Sequence, residues 1–305
     1  MGSNVYAGVN LTLAMVIVGS SVVFGKVITL SFPVFLASGM RFAIASAVML
    51  PLLIAREKNL FKVSRADFIR LISMAFCGQF VFTVLVLLGL RYTSAIEAGI
   101  ITSTSPAMMV VVSFLLFRER PGIFQVMAVG LVVAGVLYVN GFLGSGDLAL
   151  SFNHIMGNLM MVGAVVGEAF FLLMRKQISS KISNLALTGY LCFAGFMMFL
   201  PFSIYQGLSF DFRLVSVGAW WAILYFGAVF TVLAYVFWFQ GVSRVSGSTA
   251  GAFTAIMPVS AVVLSCIFLN ERFTLTHGVG IVLILAAIFI LSGRPHKKRS
   301  GDSLE

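Results

Sequence analysis

Charge is what this 305-residue chain has least of: 10% of its residues are Asp, Glu, Lys or Arg, and only 10 are acidic. A soluble domain carries roughly 25% charged residues, because polar surface has to cover its core. With 60% hydrophobic residues, the chain cannot coat two soluble domains, so lipid has to supply the apolar solvent. Cysteine is scarce too. Cys77, Cys192 and Cys266 lie on separate apolar stretches without a CxxC spacing, which signals neither a disulfide framework nor a zinc site. His154, His277 and His296 are scattered near the ends of apolar stretches, and neither H-E-x-x-H nor G-x-S-x-G occurs. An intramembrane lipid-modifying enzyme, the distant alternative, would need a clustered nucleophile, base or metal set. The stretch GSSVVFGKV imitates a phosphate loop, but its first Gly is one position too far from Gly25-Lys26 and Val27 replaces the Ser/Thr that would hold Mg²⁺. No cofactor, metal or nucleotide drive is expected.

Apolar runs are abundant. A spanning helix needs about 20 mostly apolar residues, and ten such stretches follow one another: residues 6–24, 33–54, 68–88, 95–117, 123–139, 155–174, 184–204, 217–239, 248–269 and 278–291. Barrel strands would instead alternate apolar and polar over about ten residues, a pattern that is absent. The first stretch lacks a basic leader and an A-x-A-like cleavage site, so it is read as retained; the leading MGS and closing SLE are set aside. Lys and Arg accumulate in cytoplasmic loops. Alternate connections and the tail carry fifteen of them, from Arg56, Lys58, Lys62, Arg65 and Arg70 through Arg118, Arg120, Arg175, Lys176, Lys181 and Arg244 to Arg294, Lys297, Lys298 and Arg299. The opposite side has four: Lys26, Arg91, Arg213 and Arg272. Both termini are therefore expected in the cytoplasm, in a multi-pass protein of the inner membrane. The net charge of +10 is a topology signal, since a nucleic-acid site would gather its charges in one patch.

The chain also repeats itself. Residues 89–120 align without gaps on residues 241–272, 152 positions later, and eleven of the 32 positions are identical, among them Gly89, Gly99, Thr102, Pro106, Glu119 and Arg120. A five-helix unit is odd, so its second copy enters the membrane from the other side. The expected architecture is an all-α membrane protein of ten transmembrane helices in two inverted five-helix repeats, residues 1–145 and 146–293, with a basic cytoplasmic tail at 294–305. Inverted repeats recur in secondary transporters, with the substrate site near the midplane between them.

The stretches GLRYTSAIEAGIITSTSPAMMVVVSFLLFRERPG and FWFQGVSRVSGSTAGAFTAIMPVSAVVLSCIFLNERFT resemble the paired signature of the drug/metabolite transporter superfamily, closest to its ten-helix EamA-type exporters. GSSVVFGK and MRFAIA near the start fit that pattern, whereas Val18 stands where the family commonly has tryptophan. AIEAG followed by a polar run and Pro is similar to the YddG-type amino-acid exporters. The resemblance implies export of small organic solutes by alternating access, first among them amino acids, including aromatic or other apolar ones. Other metabolites, nucleotide sugars and drugs are the alternatives. The partners implied are a small-molecule substrate and the lipid bilayer, with no nucleic acid; the oligomeric state is unreadable.

Several residues could carry transport. Pro106 and Pro258, each about eleven residues into its stretch, are expected to kink their helices and free the carbonyls of Thr102 and Thr254. Thr102, Ser103, Thr104 and Ser105 form an unbroken polar run, whereas the second copy keeps only Thr254 before Ala255, Ile256 and Met257; one wall of the site would be polar and the other apolar. Glu168 is the sharpest candidate. It lies deep in an apolar stretch with no basic residue before Arg175, and an ionisable group there marks a functional site by default, either for a substrate ammonium or for a coupling proton. Its structural alternative is a pair with Arg41 or capping by hydroxyls; Arg41 could instead bind a carboxylate or snorkel. Gln79 and Thr83, one turn apart, and Tyr235 complete the candidate substrate site. Glu97, Glu119 and Glu271 are read as lying near helix ends within reach of water. Glu119-Arg120 and Glu271-Arg272 are read as closing loops and biasing two states. Gly163-x-x-x-Gly167 and Gly247-x-x-x-Gly251 are read as internal packing, and Trp220, Trp221 and Trp238 as belt residues.

Overall fold

A computed structural model describes residues 2–57, 63–140, 152–175, 177–179 and 182–292. The 145/146 repeat boundary, the 294–305 tail and Lys58, Lys62, Lys176 and Lys181 lie outside the described residues. Among the described residues every regular element is helical. In chain order they are α1 (Gly2–Ser31), α2 (Val34–Arg56), α3 (Arg65–Tyr92), α4 in two pieces (Ala95–Thr102 and Ser105–Phe117), and α5 (Ile123–Val139). The second half gives α6 (Phe152–Arg175), α7 (Asn184–Leu208), α8 (Val217–Val242), α9 in two pieces (Gly247–Phe253 and Ile256–Leu269), and α10 (Leu275–Ser292). Among the described residues eight helices are long and apolar enough to cross a bilayer, nine if the bent α4 pair counts as one span. The 17-residue α5 falls short of the usual length, so ten crossings belong to the functional proposal. Large apolar side chains on the outside, such as Leu115, Ile267 and Val282, suit lipid and would drive aggregation in water.

Helix starts and stops repeat at the same spacing as the sequence. Ser64, Ser94, Ser216 and Ser246 each accept the backbone N–H three residues ahead, capping α3, α4, α8 and α9; 64 and 216, like 94 and 246, are 152 apart. Such caps satisfy one of the orphan N–H groups at a helix start. Among the described residues, the only non-glycine positive φ values belong to Arg118 (55°) and Asn270 (53°), again 152 apart and ending α4 and α9. Packing follows suit. α2 lies on α7, α5 on α10, α1 against α8 and α9, and α6 against α3 and α4, as a pseudo-two-fold exchange of the halves requires.

Two readings of the sequence need correction. The first span continues past Phe24 to Ser31, because Lys26 does not end it. Lys26 Nζ turns inward to the carbonyls of Leu90 (2.5 Å) and Thr93 (2.6 Å) at the end of α3, where a cation meets the negative pole of the helix. Glu97 is not at a watery helix end but buried, bound by Thr93, Asn158 and His154.

Where α3 passes α6 the backbones nearly touch. A Cβ on Gly157 would stand 2.9 Å from Tyr92 Cβ and 3.0 Å from Thr93 N. Gly157→Val should therefore cost about 1–3 kcal/mol through overpacking and lower the melting temperature in detergent. Gly130→Ala, with nothing within 4 Å of the new Cβ, should hold it or raise it. The Gly163 and Gly167 pair serves the same contact, meeting Leu85 and the Cys77 carbonyl.

Candidate substrate site between the repeats

Both third helices of the repeats depart from α-helical winding. α3 carries a π-helical segment at Phe76–Val81 and α8 one at Tyr225–Leu233. Such segments are rare and concentrate at functional sites, since the extra residue per turn re-aims side chains. Gln79 in the first has its 152-residue mate in Thr231 in the second, and Thr83 has its mate in Tyr235. The duplication thus sets these four residues as two related pairs across the pseudo-two-fold.

Arg41 of α2 joins the pairs. Its Nε donates to Thr231 Oγ1 (2.8 Å) and its Nη1 to Thr83 Oγ1 (3.3 Å), so one guanidinium bridges both copies. Phe42, Phe226 and Phe230 stand 4.7, 4.7 and 4.9 Å from its carbon centre, a favourable setting for a cation over ring faces. The side chain does not snorkel: Arg41 is 5% exposed. No carboxylate pairs with it among the described residues. Its Nη2 makes no hydrogen bond there and is not sealed off as a buried orphan.

Glu168 of α6 is the opposite pole. It accepts from Ser105 Oγ of α4 and pairs with no cation among the described residues, so of the two structural alternatives the Glu168–Arg41 pair is not realised and capping by a hydroxyl is. Tyr235 is within electrostatic reach of both Arg41 and Glu168 and neighbours Gln79. Gln79 and Thr83 are buried, whereas Glu168, Tyr235 and Ser105 stay half-accessible deep in the bundle, as walls of an internal space would.

The polar run before Pro106 divides its hydroxyls. Thr102 bonds the carbonyl of Ala98 (2.8 Å), Ser103 that of Gly99 (2.5 Å) and Thr104 that of Ile101 (2.6 Å). These three serve their own helix, and only Ser105 reaches across. The carbonyl of Thr102, deprived of its N–H partner by Pro106, is met by Ser105 Oγ at 2.8 Å. Pro106 opens the second piece of α4 after a 47° bend. Pro258 sits third in Ile256–Leu269, and α9 bends less, reading as one span from Thr249 to Leu269. Ala255 and Ile256 line an apolar crevice of about 580 Å³ with Val16, Val259 and Phe289.

Sequence reasoning missed two things. Thr231 was one 152-residue step from Gln79 and could have been found so. The other is a buried polar cluster at the start of α4. Glu97 Oε2 lies 2.7 Å from His154 Nε2 and 3.1 Å from Asn158 Nδ2, which also donates to Asn140 Oδ1 (2.8 Å). His277 Nε2 is 3.8 Å from Glu97 Oε1. Two of the three histidines read as scattered, His154 and His277, converge here because α6 and α10 flank α4; His296 lies outside the described residues.

Comparison with known proteins gives a consistent picture. The EamA-like transporter family matches residues 7–141 and again residues 155–293. An uncharacterized transporter, YetK of Bacillus subtilis, is 41% identical over 93% of this chain and 86% of its own length. An uncharacterized inner membrane transporter, YicL of Salmonella typhimurium, is 23% identical over 96% and 97%. A crystal structure 16% identical in sequence superposes with a TM-score of 0.64 over 95% of this chain and 96% of that one, a likeness of fold. The family model matches both halves of this chain, which is a multi-pass membrane protein of the EamA-like transporter family.

Proposed function

We propose that this transporter exports amino acids by alternating access, with ten crossings in two inverted units and both termini in the cytoplasm. The observation that carries the substrate class is a pair of buried ionisable groups of opposite type, neither with a counter-ion among the described residues. Among the described residues Arg41 lacks a carboxylate and Glu168 lacks a cation, although both lie deep among apolar helices at the seam of the repeats. An unpaired charge in such surroundings is expensive. A zwitterion supplies both missing partners at once: its carboxylate for the Arg41 fork, its ammonium for Glu168 and Ser105. Tyr235 and the rings around Arg41 offer aromatic surface that suits an apolar or aromatic side chain. Thr102 and Ser103 enter as residues that shape the bend, and Pro106 and Pro258 as the breaks about which each unit flexes.

Counterflow into vesicles holding the purified protein tests this. Vesicles preloaded with one unlabelled solute should accumulate its labelled form when that solute is an amino acid. Accumulation of only nucleotide sugars or cationic drugs would move the assignment to another substrate class. Lipid modification without net solute movement would count against transport.

A further inference from the structure

The two Glu-Arg endings occupy different positions in the two halves. Glu271, after α9, accepts the backbone N–H groups of Ala95 (2.8 Å) and Ile96 (2.9 Å) at the start of α4. Glu119, after α4, is its mate 152 residues earlier. Its equivalent contact would be with the backbone of residues 247 and 248 at the start of α9. Instead it is exposed and accepts from its own Ser113 Oγ at 2.5 Å. The serine mate, Ser265, is fully buried, and its Oγ has no hydrogen-bond partner among the described residues. The side chains of the same acid and serine, six residues apart, are thus joined in one half and apart in the other, where Glu271 N–H still donates to the Ser265 carbonyl (3.4 Å).

Helix packing carries the same asymmetry. A Cβ on Gly99 of α4 would stand 2.4 Å from Ala261 Cβ of α9. Its mate Gly251 meets Ser292 of α10 at 2.7 Å rather than Met109, the equivalent of Ala261. α4 is closed against α9 on the Arg272 side, and the matching contact on the Arg120 side is open.

We propose that Glu271 and Glu119 are paired gating residues, each with two positions: parked on the serine six residues before it, or capping the first N–H groups of the opposite repeat's fourth helix. In the state described here Glu271 caps and Glu119 is parked. In the opposite state Glu119 would cap α9, Glu271 would return to Ser265, and Gly251 would close on Met109. The orphaned Ser265 hydroxyl keeps the second position available, because a buried unsatisfied hydroxyl costs free energy that the returning carboxylate would recover. The proposal deepens the alternating-access reading and rests on it.

Cysteine pairs in a background lacking Cys77, Cys192 and Cys266 test it. Ala95→Cys with Glu271→Cys, and separately Gly247→Cys with Glu119→Cys, are oxidised in membranes and scored by mobility on a gel. Both pairs should crosslink, and each crosslink should stop transport until it is reduced. Absence of the 119–247 crosslink where 95–271 forms would overturn the exchange and make Glu271 a fixed cap. Transport that continues through either crosslink would overturn it as well. Because crosslinks are scored without substrate, failure to find a transported solute tells against the transport reading alone. A second measurement leaves the gate less disturbed: maleimide labelling of Ala98→Cys, fully buried behind the Glu271 contact. Glu271→Gln should speed it roughly tenfold, at the lower end for a lost hydrogen bond to a charged group. Glu119→Gln should slow it, and equal labelling in the two variants would contradict the proposal.

Discussion

Replacing Glu168 with Gln should lower amino-acid transport roughly 10- to 100-fold, the range for losing one charge-assisted hydrogen bond of about 1.5–3 kcal/mol. The carboxylate has Ser105 as its only partner among the described residues, and glutamine preserves size and hydrogen-bonding capacity while removing the charge. If Glu168 receives the substrate ammonium, exchange without any gradient falls as far as net transport. A carboxylic acid lacking the amino group, such as 3-phenylpropionate, should then be spared. Loss confined to transport driven by a pH gradient would instead make Glu168 the coupling proton carrier. Unchanged transport and unchanged pH response would remove it from both roles.

Arg41→Gln should abolish the preference for a free carboxylate. The wild type is expected to take an amino acid roughly 10- to 100-fold better than its carboxamide, and the variant should take both about equally. Arg41→Lys should recover only part of the difference, because an ammonium lacks the planar fork that holds Thr231 and Thr83 together while leaving Nη2 for a ligand. Ratios for matched substrates cancel differences in folded amount. Should Arg41→Gln fail to fold, Thr231→Val tests the same geometry by loosening one side of the guanidinium, and it should reduce the ratio. A wild type indifferent to amidation would make Arg41 a structural cation held by hydroxyls and rings.

Much of this was legible in residue order, for a physical reason. A bilayer imposes length and composition on each span, so the apolar runs located the helices, and duplication left its mark at Gly99, Pro106 and Glu119 and their mates. Boundaries were lost where a charge turned inward: Lys26 looked like a loop residue until the carbonyls at the end of α3 were in place to receive it. Glu97 looked wet because its partners, Asn158 and His154, are about sixty residues away in sequence. The candidate site was half visible. Glu168 announced itself by the cost of its burial, whereas Arg41's burial depends on Thr231 and Thr83, two distant hydroxyls that only the packed helices bring together. π-Helical winding in α3 and α8 has no sequence signature as plain as a proline, although it decides which way Gln79 and Thr231 project.

Everything about the gate and the shared site presumes that the halves lie antiparallel. Single cysteines at positions 120 and 272, in the cysteine-free background, can be labelled in intact cells and in inside-out vesicles with a membrane-impermeant maleimide. Position 272 should react only in cells and position 120 only in inverted vesicles. Reaction of both from the same side would contradict the inversion, and with it the alternating-access account.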